Sequence, residues 1–161
     1  MSSVPCLVDR LRAAGCVFAE EEAQILRDAA RTADELDAMV ARRVAGHPLE
    51  HVVGWAEFCG VRVAVAPGVF VPRRRTEFLV AQAAVLAPEA AVVVDLCCGS
   101  GAVGVVLAGR LRAAEVHAAD VDPAAVRCAR VNLGERGSVY LGDLFEPLPA
   151  RLRHRVDVLT A

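Results

Sequence analysis

The chain has 161 residues, 55% of them hydrophobic and 4% aromatic, with 18 basic against 20 acidic side chains and a formal charge of −2. That length suits one ordinary domain, or a small domain plus part of another, with a core built from Val, Leu and Ala. The near balance of charge argues against a general nucleic-acid-binding surface. All 18 basic residues are Arg, a pattern that reads as the imprint of a GC-rich genome rather than as function. The six cysteines, Cys6, Cys16, Cys59, Cys97, Cys98 and Cys128, form no C-x-x-C pair and no zinc-finger spacing with His. Cys97 and Cys98 are adjacent and poorly placed for an ordinary disulfide. Reduced thiols, an N-terminus without the layout of a signal peptide and no membrane-spanning run together predict a cytoplasmic protein without a metal site.

Residues 4–46 read as helices. Val8, Leu11 and Cys16 begin an apolar stripe that Ile25, Leu26, Ala29 and Ala30 continue. Thr32 and Glu35 form a capping-box pair ahead of Leu36, Met39, Val40 and Val44, and Gly46 with Pro48 ends the helix. Nothing in this region carries obvious chemistry, and a small helical domain is expected over residues 1–46. Residues 47–72 read as a β-hairpin linker: Trp55 and Phe58 precede Gly60, and Val61, Val63 and Val65 alternate before Pro67-Gly68. Val69-Phe70-Val71-Pro72 reads as extended. Arg73-Arg74-Arg75 reads as a solvated face, and Thr76-Glu77 leads into a helix through Leu79, Val80, Ala83 and Leu86.

From residue 90 onward strands and helices alternate. Strands are expected at residues 91–96, 116–119, 138–141 and from Val156, with helices at 102–111 and from Pro123 to about Glu135. Asp122 is placed to cap the second of these helices, with Pro123 at its first position. This alternation implies an α/β, doubly wound parallel sheet with a ligand site at the carboxyl ends of its strands. Asp95, Asp120 and Asp143 all fall at such ends.

The most informative stretch is Val92 to Gly104, VVVDLCCGSGAVG: strand, acid, glycine turn, apolar helix. Gly99 to Gly104 reads literally as G-x-G-x-x-G, a weak signal that alone suggests a dinucleotide. Asp120, about 20 residues after Gly99, has the spacing of the acid that binds ribose hydroxyls. Asp95 argues for a different ligand. A carboxylate beside the turn repels a pyrophosphate but suits a ligand carrying an ammonium and a sulfonium, such as S-adenosylmethionine. Equally, Asp95 has a reading as a cap on the turn's backbone N–H groups. Gly101 is expected to let the backbone approach the ligand.

Gly46-His47-Pro48-Leu49 through Val53-Gly54, Glu57-Phe58-Cys59-Gly60, and Val69 to Arg73 with Thr76-Glu77 resemble the HemK/PrmC family. These enzymes methylate a glutamine side-chain amide in peptide-chain release factors. The resemblance continues through DLCCGSGAVG, HAADVDP and GDLFEPL and covers nearly the whole chain in order. It implies a Rossmann-like, class I S-adenosylmethionine-dependent methyltransferase fold over residues 73–161, following the helical domain and hairpin. Position by position it implies that Cys97, Cys98, Gly99, Ser100 and Gly101 wrap the methionine part of the cofactor. Asp120, with Val121 beside it, would hold the ribose, Asp143 and Leu144 would lie beside the adenine, and Arg73 and Thr76 would approach the methionine end. The partner implied is a protein substrate, a release factor in the family's usual case.

Three departures stand out. Arg74 replaces the second proline of the family's I-P-R-P-x-T-E. The helical region before Gly46 is short. The family's Asn-Pro-Pro-Tyr, which orients the target amide, would begin where the chain reaches Thr160-Ala161. The chain alone is therefore expected to be catalytically silent, and its last strand either to self-associate through an uncovered sheet edge or to be covered by a C-terminal segment that the chain lacks. Other protein or nucleic-acid acceptors, and a cofactor-binding role without catalysis, are the alternatives. His47, His51, His117 and His154 form no base with an evident partner.

Overall fold

In this computed structural model, residues 6–89, 91–111 and 114–161 are described. The chain divides into two units, residues 1–54 and 55–161.

The first unit is helical: α1 (Leu7–Ala13), α2 (Ala19–Ala29), α3 (Ala33–Val44) and α4 (Leu49–Val53). Its core gathers Leu11, Ala19, Ala23, Leu26, Val40 and Val52. Thr32 caps α3, its hydroxyl accepting the Glu35 N–H at 3.1 Å. The reciprocal half of the capping box is displaced by one residue, because the Glu35 carboxylate accepts the N–H of Arg31 at 2.9 Å. Arg43 holds Glu22 with two bonds, at 2.6 and 3.0 Å, in a half-buried fork. The short α4 carries this unit beyond residue 46, and Gly54, in the left-handed region at φ 83°, ends it.

The second unit starts with the expected hairpin, β1 (Trp55–Phe58) and β2 (Val61–Ala64), paired antiparallel from Trp55 opposite Ala64 to Phe58 opposite Val61. Val69 to Pro72 forms no strand; the Val69 N–H instead closes the Pro67-Gly68 turn on the Ala66 carbonyl at 3.0 Å. After α5 (Thr76–Leu86) come β3 (Val92–Leu96), α6 (Ala102–Arg110), β4 (Glu115–Asp120), α7 (Pro123–Leu133), β5 (Gly137–Leu141) and β6 (Val158–Thr160). The last strand begins two residues later than the alternation of apolar residues suggests. Asp157 is drawn off to bind the start of β3, accepting the N–H groups of Ala91 and Val92, each at 2.9 Å.

β3 to β6 form one parallel sheet in the order β5-β4-β3-β6. All five residues of β3 are buried, as a central parallel strand covered on both faces requires. One face packs Val93, Val116 and Leu133 with Val105, Val106 and Leu107 of α6. Gly137 opens β5 where backbones meet closely: a Cβ there would stand 2.8 Å from the Val116 carbonyl oxygen. β6 lies at one edge, with Leu159 51% exposed. His117 is buried in β4, hydrogen-bonded through Nδ1 to the Tyr140 hydroxyl at 3.1 Å. Its Nε2 stands 2.9 Å from Glu115 Oε1, an ion-pair distance at an angle unsuited to a hydrogen bond. No helix among the described residues is long and apolar enough to cross a membrane.

Candidate active site

The carboxyl ends of β3 and β4 open onto a cleft of about 420 Å³, within the size range of small-molecule sites. One wall is the turn after β3, with Asp95, Cys97, Cys98, Gly99 and Ser100, together with Asp120 and Asp122 after β4. The facing wall brings Phe58 of the hairpin together with Phe70, Pro72, Arg73, Thr76 and Leu79.

The turn is held by its backbone. Gly99 donates its N–H to Asp120 Oδ2 at 2.8 Å, and Cys98 donates to the Ala119 carbonyl at 3.1 Å. Asp120 Oδ1 accepts the Asp122 N–H at 2.9 Å, and Asp122 caps α7 by accepting from Ala124 at 2.8 Å. Each Asp120 oxygen therefore keeps a lone pair for a ligand hydroxyl. A Cβ built on Gly99 meets nothing within 4 Å, so the turn leaves open space there. Cys97 adopts φ 51° without being glycine and is exposed. Cys98 is half-buried, and burial, with the Asp95 and Asp120 carboxylates, pushes its thiol well above the usual range.

Asp95 is engaged with α6 and with the end of β6. It lines the cleft, yet it is only 3% exposed. Its Oδ2 accepts the N–H of Gly104 in the first turn of α6 at 3.2 Å, and its Oδ1 accepts the Thr160 hydroxyl at 2.8 Å. Burial raises its pKa to about 7, against the lowering effect of these two bonds, with the Asp120 charge adding to the rise.

Gly101 serves a different purpose from the one expected. It is left-handed, at φ 76°, and a Cβ there would lie 2.9 Å from Ala129 Cβ. The residue lets α6 approach α7; it does not line the cleft. Val121, Asp143 and Leu144 also lie outside the cleft and are exposed, Val121 at 70% and Leu144 at 47%. None of the four histidines lines it, and no group of His, Cys, Asp or Glu among the described residues is arranged to hold a metal.

The residue that sequence reasoning missed is Asn132. From α7 it accepts the Ala64 N–H at 2.7 Å and donates Nδ2 to the Ala64 carbonyl at 2.9 Å and the Ser100 carbonyl at 2.8 Å. One amide thus ties the hairpin to the glycine turn. A lone Asn inside a helix carries no signal of this, because both partners are backbone groups.

A glycine turn between a buried parallel strand and a helix, with acids at two strand ends, defines a Rossmann-like nucleotide-type site. Residues 60–155 match the methyltransferase small domain family, and the chain belongs to it; S-adenosylmethionine is that family's cofactor. Within it the likeness is to the HemK/PrmC group. The chain is 42% identical over 113 residues to the release factor glutamine methyltransferase of Geobacter sulfurreducens, covering 68% of this chain and 40% of that protein. It is 40% identical over 128 residues to the enzyme of the same name from Streptomyces coelicolor, covering 76% and 45%. A 4-amino-L-phenylalanine/4-methylamino-L-phenylalanine methyltransferase from Streptomyces pristinaespiralis is 38% identical over 128 residues, covering 74% and 44%. The chain thus spans less than half the length of these relatives.

Proposed function

We propose that this chain forms the cofactor-binding part of an S-adenosylmethionine-dependent methyltransferase acting on a glutamine side-chain amide of a protein, a peptide-chain release factor by analogy with its relatives. The observation that carries the reading is the pairing of an open glycine turn with Asp95 and Asp120 in one cleft. Three carboxylates, counting Asp122, line it against one guanidinium, that of Arg73. Such a field disfavours a pyrophosphate and favours a ligand that bears positive charge and hydroxyl donors.

When bound, S-adenosylmethionine supplies a methyl group on a positively charged sulfur. Asp120 would accept from the ribose hydroxyls, and Asp95 would offset the ligand's cationic end. The backbone of Cys97 to Ser100 would pass close to the methionine part, with Arg73 and Thr76 on the facing wall. An amide nitrogen is a poor nucleophile, so the protein's task is to orient it toward the methyl group rather than to deprotonate it first. The free thiols support placing the protein in the reducing cytoplasm.

The cofactor assignment is tested by calorimetric titration with S-adenosylhomocysteine and NAD in parallel. The expected result is binding of the first and not the second. Asp120→Asn should weaken binding at least about tenfold through lost charge-assisted hydrogen bonds. Equal or tighter binding of NAD overturns the reading. The acceptor is tested by transfer of labelled methyl to a release-factor glutamine peptide and to 4-amino-L-phenylalanine, with and without downstream sequence that carries an Asn-Pro-Pro-Tyr motif. Transfer to the aromatic amine alone would place the chain with the Streptomyces pristinaespiralis enzyme instead.

A further inference from the structure

Thr160, the last residue of β6, stands opposite Asp95 in the parallel pairing of β6 with β3. It is buried, at 3% exposure, and does not itself line the cleft. Val would fill the same shape in a strand, so what Thr adds is a hydroxyl, and a buried hydroxyl needs a partner. This one has two acceptors in reach: Asp95 Oδ1 at 2.8 Å and the Val94 carbonyl at 3.5 Å. With one proton it serves one of them at a time. An ionised Asp95 takes the shorter bond, while the Gly104 N–H occupies Oδ2. A neutral Asp95 must carry its proton on one of these oxygens. On Oδ2 that proton meets the Gly104 N–H, donor against donor. On Oδ1 it is given to Thr160, whose own proton then turns to Val94, at the limit of hydrogen-bond reach. Either way the neutral form forfeits a good bond. Burial accordingly pushes the Asp95 carboxyl up, and the Thr160 bond is the strongest pull the other way, ahead of the Gly104 N–H.

We propose that Thr160 is a positioning residue for the cofactor: its hydroxyl holds Asp95 as a carboxylate ready to receive the ammonium group of the ligand's methionine part. The proposal rests on the reading of the cleft as an S-adenosylmethionine site. A carboxylate offers about four lone-pair sites. Thr160 and Gly104 take one each, and the others remain for a cation in the cleft. The charged groups around Asp95 do not supply this. From β4, Asp120 opposes its ionisation, and His117 is paired with Tyr140, beside Val94 rather than Asp95. The glycine turn and the segment after β4 bring two thiols, Cys97 and Cys98, and a further acid, Asp122. α6 carries no ionisable side chain before Arg110 in its last turn. Glu77 of α5 accepts the Cys59 N–H at 3.2 Å, and Asp157 serves the opposite end of β3. Arg73 lines the facing wall without forming an ion pair with Asp95 among the described residues. The neutral hydroxyl therefore favours the carboxylate without placing a second cation where the ammonium group must sit.

The test is calorimetric titration of the full chain and its variants with S-adenosylhomocysteine between about pH 6 and about pH 8. Thr160→Val keeps the shape and removes the proton. Losing the bond should move the midpoint of the binding profile up by about one pH unit. Affinity should then fall about ninefold near pH 6, about fivefold near pH 7 and only about twofold near pH 8. Thr160→Ser should restore the wild-type midpoint. Methylthioadenosine, which has the adenosine and the sulfur but no amino-acid group, should bind with an affinity that neither pH nor Thr160→Val changes. Should Thr160→Val fold poorly, Thr160→Ala set against Thr160→Ser makes the same comparison. The proposal is overturned by a Thr160→Val midpoint equal to that of the unaltered chain, by a loss of equal size at every pH, by failure of Thr160→Ser to restore the midpoint, or by an equal loss for methylthioadenosine. Failure of the underlying cofactor reading registers separately, as no binding of S-adenosylhomocysteine to the unaltered chain at any pH.

Discussion

Cofactor binding should depend on pH through Asp95. Its pKa of about 7 means that the carboxyl is about one-tenth ionised near pH 6 and about nine-tenths ionised near pH 8. A ligand with a cationic end binds the carboxylate form. If it binds that form alone, its apparent affinity scales with the ionised fraction, a change of about tenfold between these two pH values. Binding near pH 6 should release close to one proton, and near pH 8 almost none. Calorimetry with S-adenosylhomocysteine in two buffers of different protonation enthalpy reads both quantities. Asp95→Asn should bind more weakly at the upper pH and show a flat profile. The variant is sterically mild: the Asn oxygen can keep the Gly104 N–H, and the Thr160 hydroxyl can turn to accept from the new NH₂, directing its own proton toward the Val94 carbonyl at 3.5 Å. Stability runs the opposite way. The folded state holds the proton up to about pH 7, whereas the unfolded carboxyl releases it near its ordinary value of 3.8. Stability without ligand therefore falls as pH rises between those values, by at most about tenfold in the folding equilibrium per unit, and levels off above. A wild-type affinity that is flat from pH 6 to 8, or an Asp95→Asn variant with the same slope, would refute this reasoning.

Two substitutions separate packing from ligand contact. Gly101→Val should lower stability by about 2–4 kcal/mol, from a left-handed backbone position and a Cβ driven into Ala129; a full-strength fold with selective loss of cofactor binding in denaturation and titration experiments would contradict this. Asn132→Leu strands the Ala64 N–H and the Ser100 carbonyl and leaves the Ala64 carbonyl to the Cys128 thiol alone; it should cost about 2–4 kcal/mol by denaturant midpoint and also weaken S-adenosylhomocysteine binding by loosening the turn at Ser100.

Much of this architecture was legible because local chemistry and the tertiary fold agree. The β-branched run at Val92 to Val94 is the buried central strand, Asp122 with Pro123 opens α7 as a cap and first-turn pair, and the hairpin follows from its valine alternation. The strand-end positions of Asp95 and Asp120 were legible, and both residues stand in one cleft. The site was not legible where the cause is an approach between distant backbones. Gly101 looks the same in sequence whether it faces a ligand or Ala129. Val156 and Asp157 continue an apolar alternation, yet the Asp157 carboxylate is taken by the start of β3. Asp143 and Leu144 follow the family pattern while standing exposed and outside the cleft.

The double hydrogen bond between Asn132 and Ala64 is directional in what it lets change. The hairpin is recognised at position 64 through its N–H and carbonyl alone, which every residue but proline possesses. Drift at that position is therefore invisible to the contact, while at position 132 only a side chain with both donor and acceptor can serve. The polar half of the hairpin's attachment is stored on the helix, while the apolar half lies in Phe58 and Val63, buried in the core. A homologue could change position 64 and still make this contact, so long as it kept the amide on α7.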